Sequence, residues 1–269
     1  MKTFSEYNSS KTFSIKESAS HHYTLFPKDK KELKKMIEDE IKKQGDDADL
    51  NHIDVSGITD FSELFKNSKF NGDISKWDVS NATNMESMFA WASRFNGDVS
   101  DWDVSNVRDM NHMFKDSELF NQDLSGWDVS KVTNMEGLFV GTYSFNGDIS
   151  TWDVRNVKNM SCMFAHSAFN GNLKRWNTKN VEDMSYMFKC ATSFNQDISS
   201  WDVSNVTTME EMFRRSKFNQ DISRWNVSNV TNMFSMFKEA KLFNQDISRW
   251  NVSKVKWFYV RRLPMSGRV

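Results

Sequence analysis

The chain is short of the residues that usually punctuate a sequence. Its 269 residues include two cysteines, two prolines and ten glycines. Cys162 and Cys190 cannot staple a disulfide scaffold or fill a cysteine-based zinc site, and they fix no redox compartment. With only Pro27 and Pro264, collagen-like, proline-rich and Gly/Ser-linker classes are excluded, and no hinge is visible between residue 50 and the C-terminal end. One continuous body is expected. No apolar run approaches the ~18 residues of a membrane span, and residues 1–22 lack the apolar core of a secretory signal. As written, the chain carries neither signal nor anchor, which predicts a cytoplasmic protein as made. Excess charge is missing too. The 35 basic and 36 acidic residues leave a net charge of −1, too little to draw the chain onto nucleic acid or an anionic membrane.

What is abundant is aromatic and sulfur-bearing: 22 Phe, 10 Trp and 16 Met in a chain that is only 38% hydrophobic. That is far too much apolar bulk for a disordered segment, so the core must be built from these types. They recur in a tandem motif, F-N-[GQ]-D-[ILV]-S-x-W-[DN]-V-S-[NK]-V-x-[ND]-M-x-x-[ML]-F. Its tryptophans fall at Trp77, Trp102, Trp127, Trp152, Trp176, Trp201, Trp225 and Trp250, in steps of 24 or 25 residues, and the phenylalanine seven places earlier keeps step from Phe70 to Phe243. A degenerate opening copy at Ile53-Asp54-Val55-Ser56 brings the count to about nine.

Two periodicities alternate within a copy. Trp77 and Val79 flank one polar residue, the period of a strand with one buried face. Met85, Met88 and Phe89 follow at i, i+3 and i+4, preceded by the capping types Asn81, Thr83 and Asn84, which predicts a short helix. The expected fold class is therefore α/β: a leucine-rich-repeat-like solenoid with one short strand and one short helix per 24–25-residue coil, each coil made stable by its neighbours. Residues 53–253 form about nine coils in this reading. Residues 1–25 are expected to be disordered or loosely packed, and 26–52 to hold an N-terminal capping helix of about 30–44, from the Asp29/Glu32 capping box to Gly45. Residues 254–269 form an irregular basic and aromatic tail with no capping helix. It could fold back as a lid, pair end to end with a second copy, or mark a truncation.

The stretch FNQDISSWDVSNVTTMEEMF, from Phe194 to Phe213, carries the motif almost letter for letter. With its eight tandem copies over about residues 26–253, the chain resembles the BspA-like leucine-rich-repeat surface proteins, whose repeat is also described as mycoplasma lipoprotein-associated. The resemblance implies a leucine-rich-repeat-like solenoid in a bacterial surface or secreted protein, a role in adhesion and protein interaction, and no catalytic residue.

The repeated Phe, Ile, Trp, Val and Met positions read as core, with methionine filling irregular gaps against aromatic rings. The asparagine after each Phe, Asn71 to Asn244, reads as an inward ladder satisfying backbone groups of adjacent coils. Two rows of acids admit more than one use. Asp73, Asp98, Asp123, Asp148, Asp197, Asp221 and Asp246 must either cap their turns or share a cation, which makes a calcium-stabilised spacer the alternative function. The row between Trp and Val must point outward on the expected sheet face. With its flanking positions it supplies the candidate partner-binding residues Asp78, Asp103, Asp128, Asp153, Arg155, Arg175, Lys179, Asp202, Arg224 and Arg249, acidic first and mixed to basic from Arg155 onward. The fifth copy, Phe169 to Phe188, loses both aspartates and gains Lys174, Arg175 and Lys179, as either a binding hot spot or neutral drift would produce. The five histidines and two cysteines fall at scattered repeat phases and no nucleophile or metal motif occurs, so no enzyme and no cofactor is expected. The sequence thus predicts a non-catalytic scaffold for a protein or glycan partner.

Overall fold

The computed structural model describes residues 22–257. A single α-helix, α1 (Lys30–Gln44), stands at the head of a stack of coils. Asp29 caps it by accepting the Glu32 N–H at 2.9 Å, and Gly45, at φ 91°, closes it with a 2.8 Å bond from its N–H to the Ile41 carbonyl. Leu33 and Ile37 are buried, and Lys30 reaches forward to Asp60 at 3.1 Å, which seats the helix on the first coil. Thr24 and Leu25 lie against the same coil: Leu25 bridges Ile53, and the Asp54 N–H donates to the Leu25 carbonyl at 2.9 Å.

The coils are made of turns, and this overturns the α/β expectation of a strand and a helix in each. Among the described residues α1 is the only helix, no strand of more than an isolated bridge forms, and neighbouring coils meet through single parallel bridges from Asp60↔Asn84 to Asn232↔Trp257. The apolar spacing that reads as helical belongs to consecutive four-residue turns. Met88 N–H bonds the Met85 carbonyl (3.2 Å), Ala90 bonds Ser87 (3.1 Å) and Ala92 bonds Phe89 (3.0 Å). Between them Ser87 and Trp91 sit at φ 53° and 58°, the left-handed region that completes a type II turn and that no right-handed helix contains. The intervening amides leave the coil altogether. Met85, Ser87, Phe89 and Trp91 donate to Asp109, Asn111, Met113 and Lys115 of the next coil at 2.7–3.0 Å. Alternate residues therefore tie coil to coil while those between them close turns.

The inter-coil ladder thus runs along M-x-x-M-F, where a helix was expected, and not along W-D-V, where a sheet was expected. Trp77-Asp78-Val79 lies between a turn closed by the Trp77 N–H on the Ile74 carbonyl (3.1 Å) and one opened at Val79. Its inward, outward, inward alternation is real, but three residues between turns are too few for a strand. Among the described residues it makes no backbone bond to a neighbouring coil.

Side-chain columns fill the interior. Phe89 stacks on Phe95 of its own coil at 3.9 Å and 8°, and on Phe114 of the next at 5.5 Å and 3°. The phenylalanines of this column step at 5.3–5.9 Å, while Trp152, Trp176, Trp201 and Trp225 step at 6.3–6.5 Å. The closer spacing falls beside the ladder, where the backbone hydrogen bonds between coils are most numerous. Each tryptophan also donates its indole N–H to a carbonyl of the coil before, as Trp102 does to Ile74 at 3.1 Å and Trp152 to Leu124 at 2.9 Å. These carbonyls are buried, and the indole is their second partner beside the turn amide.

Candidate functional site

Asparagine and aspartate hold the turns from outside the core. The Asn71 side-chain oxygen accepts the Asn96 N–H at 2.8 Å, and the relation repeats through Asn121, Asn146, Asn170, Asn195 and Asn219 to Asn244 at 2.8–3.0 Å. The ladder is present, but most of its asparagines are exposed and not inward. Gln122, Gln196 and Gln245 add amide donors to the same oxygens, which is why glutamine can stand where other copies have glycine.

Each aspartate of the Asp73 row accepts the N–H of the serine two residues on, at 2.8–3.0 Å through Asp98, Asp123, Asp148, Asp197, Asp221 and Asp246. Asn172 makes the same turn with Lys174 N–H at 2.9 Å, so the motif needs the oxygen and not the charge. Those bonds hold the carboxyls of Asp73, Asp148, Asp221 and Asp246 below the usual carboxylate range. Asp197 is lowered furthest, first by the Lys174 ammonium at 2.8 Å. This geometry is that of a turn cap. Among the described residues no group of three or more His, Cys, Asp or Glu is arranged to hold a metal ion.

The expected partner-binding row does project outward, on a turn-built corner and not on a sheet face. Asp78, Asp103, Asp128 and Asp202 are exposed, each accepting an amide from the serine two residues on at 2.9–3.1 Å. The Ser105, Ser130 and Ser204 bonds lower the Asp103, Asp128 and Asp202 carboxyls. Asp153 is half-buried and its charge is met by Arg155, whose Nε lies 2.8 Å away, so this pair is internally neutralised. Arg175, Lys179, Arg224 and Arg249 are exposed and make no ion pair among the described residues. Stacking therefore separates an acidic stretch, Asp78 to Asp128, from a mixed to basic one, Arg175 to Arg249, which still carries Asp202. Thr178, where other copies place valine, is buried with its hydroxyl donating to the Asp202 carbonyl at 3.0 Å, so the fifth copy packs normally inside.

A second chemically varied surface escapes the sequence reading. The two left-handed positions of each coil form two rows beside the ladder. His112 and Cys162 share the first with Glu63, Ser87, Gly137, Tyr186, Glu211 and Ser235; His166 and Cys190 share the second with Asn67, Trp91, Asp116, Gly141, Arg215 and Glu239. Two histidines and both cysteines, which look scattered in phase, are thus in register when counted from M-x-x-M-F. Burial pushes the Cys162 thiol up to about 11, and desolvation lowers His112, whose ring lies over Gly137 where a Cβ would come within 2.5 Å of it. Trp91 is flanked by the ammonium groups of Lys66 and Lys115, 5.5 and 4.8 Å from its ring centre. Burial would raise the Glu211 carboxyl, but Lys189 at 2.7 Å and Arg214 at 2.6 Å bring it below its ordinary value.

The C-terminal side begins as another coil. Lys256 N–H bonds the Thr231 carbonyl at 2.9 Å and Met233 N–H bonds that of Trp257 at 3.2 Å, leaving Trp257 66% exposed. The remainder of the tail, 258–269, lies outside the described residues, as does 1–21. Among the described residues no helix is long and apolar enough to cross a membrane.

A stack of turn-built coils with uniform columns inside and varied rows outside defines a tandem-repeat protein. The chain belongs to the family described as "Mycoplasma protein of unknown function, DUF285", whose model matches three overlapping stretches, residues 31–142, 120–217 and 196–260. No curated protein and no solved structure matches the chain.

Proposed function

We propose that the chain is a non-catalytic scaffold that binds a protein or glycan partner along the outward corner running from Asp78 to Arg249. One observation carries the reading. Inward positions repeat almost unchanged from coil to coil, whereas the corner keeps its geometry and changes its charge, from acidic at Asp78, Asp103 and Asp128 to basic at Arg175, Lys179, Arg224 and Arg249. A partner with the opposite gradient would be steered and oriented by it. The motif's likeness to the BspA-like surface repeats supports an adhesive role in a bacterial surface or secreted setting.

The test is affinity capture with the full chain as bait, followed by titration of the captured partner against two double variants. Asp103→Asn with Asp128→Asn removes charge while keeping the turn-capping oxygen that Asn226 supplies naturally to Ser228 at 3.2 Å. Arg224→Glu with Arg249→Glu reverses charge at positions free of ion pairs. Each should weaken binding by roughly tenfold or more and steepen or flatten its salt dependence, with melting unchanged. Affinity unaltered in both variants would remove the corner as the binding surface.

A further inference from the structure

We infer that a notch in the coil edge beside the second left-handed row binds one neutral sugar ring. This deepens the scaffold reading, from which it takes its context, by naming a ligand class and a separate place for it. The notch originates in chain length. Five residues separate Phe139 from Phe145 and Phe188 from Phe194, but only four separate Phe164 from Phe169 between them. The missing residue accounts for one of the 24-residue steps. It lowers the edge of that coil between two taller neighbours.

Backbone register shows how. Ser144 N–H donates to the Glu118 carbonyl at 3.2 Å, whereas Ala168 N–H, one coil later, donates to Thr142 at 3.3 Å. The shortened edge therefore docks one residue lower and leaves Tyr143 standing clear, 60% exposed. The floor is held firmly: the buried hydroxyls of Ser167 and Thr142 are 3.1 Å apart, and Ser167 accepts the Phe169 N–H at 3.2 Å. The resulting cavity is about 140 Å³, with Tyr143 on one coil, Ala168 at the floor and Thr192 and Ser193 on the coil beyond. His166 and Cys190, neighbours in the second left-handed row, complete the lining.

No aspartate, glutamate, lysine or arginine lines this space, although a quarter of the chain, 26%, is charged. A phosphate or carboxylate would find no cation there, and a metal ion no third ligand. What the notch does offer is an exposed aromatic ring beside neutral groups that both donate and accept. Among the described residues nothing bonds to the side-chain hydroxyls of Tyr143, Thr192 and Ser193 or to the His166 ring. A pyranose ring has the complementary surface, with C–H bonds on one face for the tyrosine and hydroxyls at its edge for Thr192, Ser193 and His166. The volume is below the ~300 Å³ at which drug-sized pockets begin, which suits one ring and not an oligosaccharide chain.

Saturation-transfer NMR on the full chain tests this, with the methyl glycosides of glucose, galactose, mannose and N-acetylglucosamine as probes and glucose 6-phosphate as the charged control. At least one neutral glycoside should be saturated. Tyr143→Ala should weaken it at least tenfold without lowering the melting temperature, and a glycine inserted after Ala168, which restores the five-residue edge, should abolish it. The assignment is overturned if no neutral glycoside binds, if binding survives both changes, or if glucose 6-phosphate binds as well as the neutral probes. Partner capture measured on the unaltered chain separates the two readings: if that chain keeps its partner and binds no glycoside, the notch alone is sunk.

Discussion

Left-handed backbone is the residue-scale cost of this architecture, and it falls mostly on residues with a Cβ. Fourteen non-glycine residues in the described chain have positive φ, two per coil, while glycine fills the pair only at Gly137 and Gly141. A side chain there costs roughly 1–2 kcal/mol, which the inter-coil hydrogen bonds and the stacked rings must offset. The conformation predicts opposite signs at two equivalent sites. Ser87→Gly should gain about 0.5–1 kcal/mol, relief of strain outweighing the greater freedom of the unfolded chain. Gly137→Ala should lose about 1–2 kcal/mol and displace the His112 ring that lies over it. Urea melts of both variants check this, and changes of the same sign would contradict the turn geometry. Aspartate and tryptophan are easier to read than serine or glutamate at these positions, because their roles follow from one side-chain group: an oxygen two residues before an amide, an indole N–H beside a buried carbonyl.

At the scale of elements, α1 and the repeating turns differ in how far their sequence betrays them. The helix carries local signals: Asp29 and Glu32 at one end, Gly45 at the other, and Leu33 and Ile37 on one face. In M-x-x-M-F the apolar spacing is the same whether the chain forms a helix or successive four-residue turns. What separates the two is where alternate amides find acceptors, and those acceptors lie about 24 residues away. W-D-V misleads in the complementary manner, since alternation shows which side chains are buried but not whether a neighbouring backbone bonds to the segment. Because each coil touches only its neighbours, damage to the helix should stay local. Leu33→Ala, at a fully buried position, should cost about 2–5 kcal/mol at that end of the stack. Hydrogen exchange should then quicken in residues 53–70 and remain unchanged near Trp225. Uniform acceleration throughout would mean that the stack melts as one cooperative unit.

Over the whole molecule, the two rows of turn-capping carboxylates make acid the natural denaturant. The carboxyls of Asp73, Asp103, Asp128, Asp148, Asp202, Asp221 and Asp246 are all lowered in the fold, by the amides and hydroxyls of the serines they cap. A lowered folded value means that the unfolded chain binds more protons as pH falls through the unfolded carboxylate value near ~4. Their contribution is therefore full above that pH and is lost progressively below it. Thermal melts should be flat from pH 6 to about 5 and fall steeply below about 4. Replacing Asp148 and Asp221 by asparagine, which Asn172 shows can make the same turn, should shift that fall to lower pH. A pH profile that the two substitutions leave unaltered would show that these caps do not govern acid stability.

The sequence by itself determined the length of the coil, the residues of its interior, the asparagine and aspartate rows and the limits of α1, because each depends on local spacing or on a side chain's own chemistry. It also supplied the acidic-to-basic change along the outward row. Only the tertiary structure decided that the coils are strings of turns, that the ladder lies along the methionines, that the asparagines are outside, and that His112 and Cys162, or His166 and Cys190, stand in common rows. The notch at Tyr143 belongs with these, since it depends on the register in which Ala168 meets Thr142 of the coil before. All of them depend on which backbone amide meets which carbonyl in the next coil, a contact between residues about 24 places apart that no local pattern records.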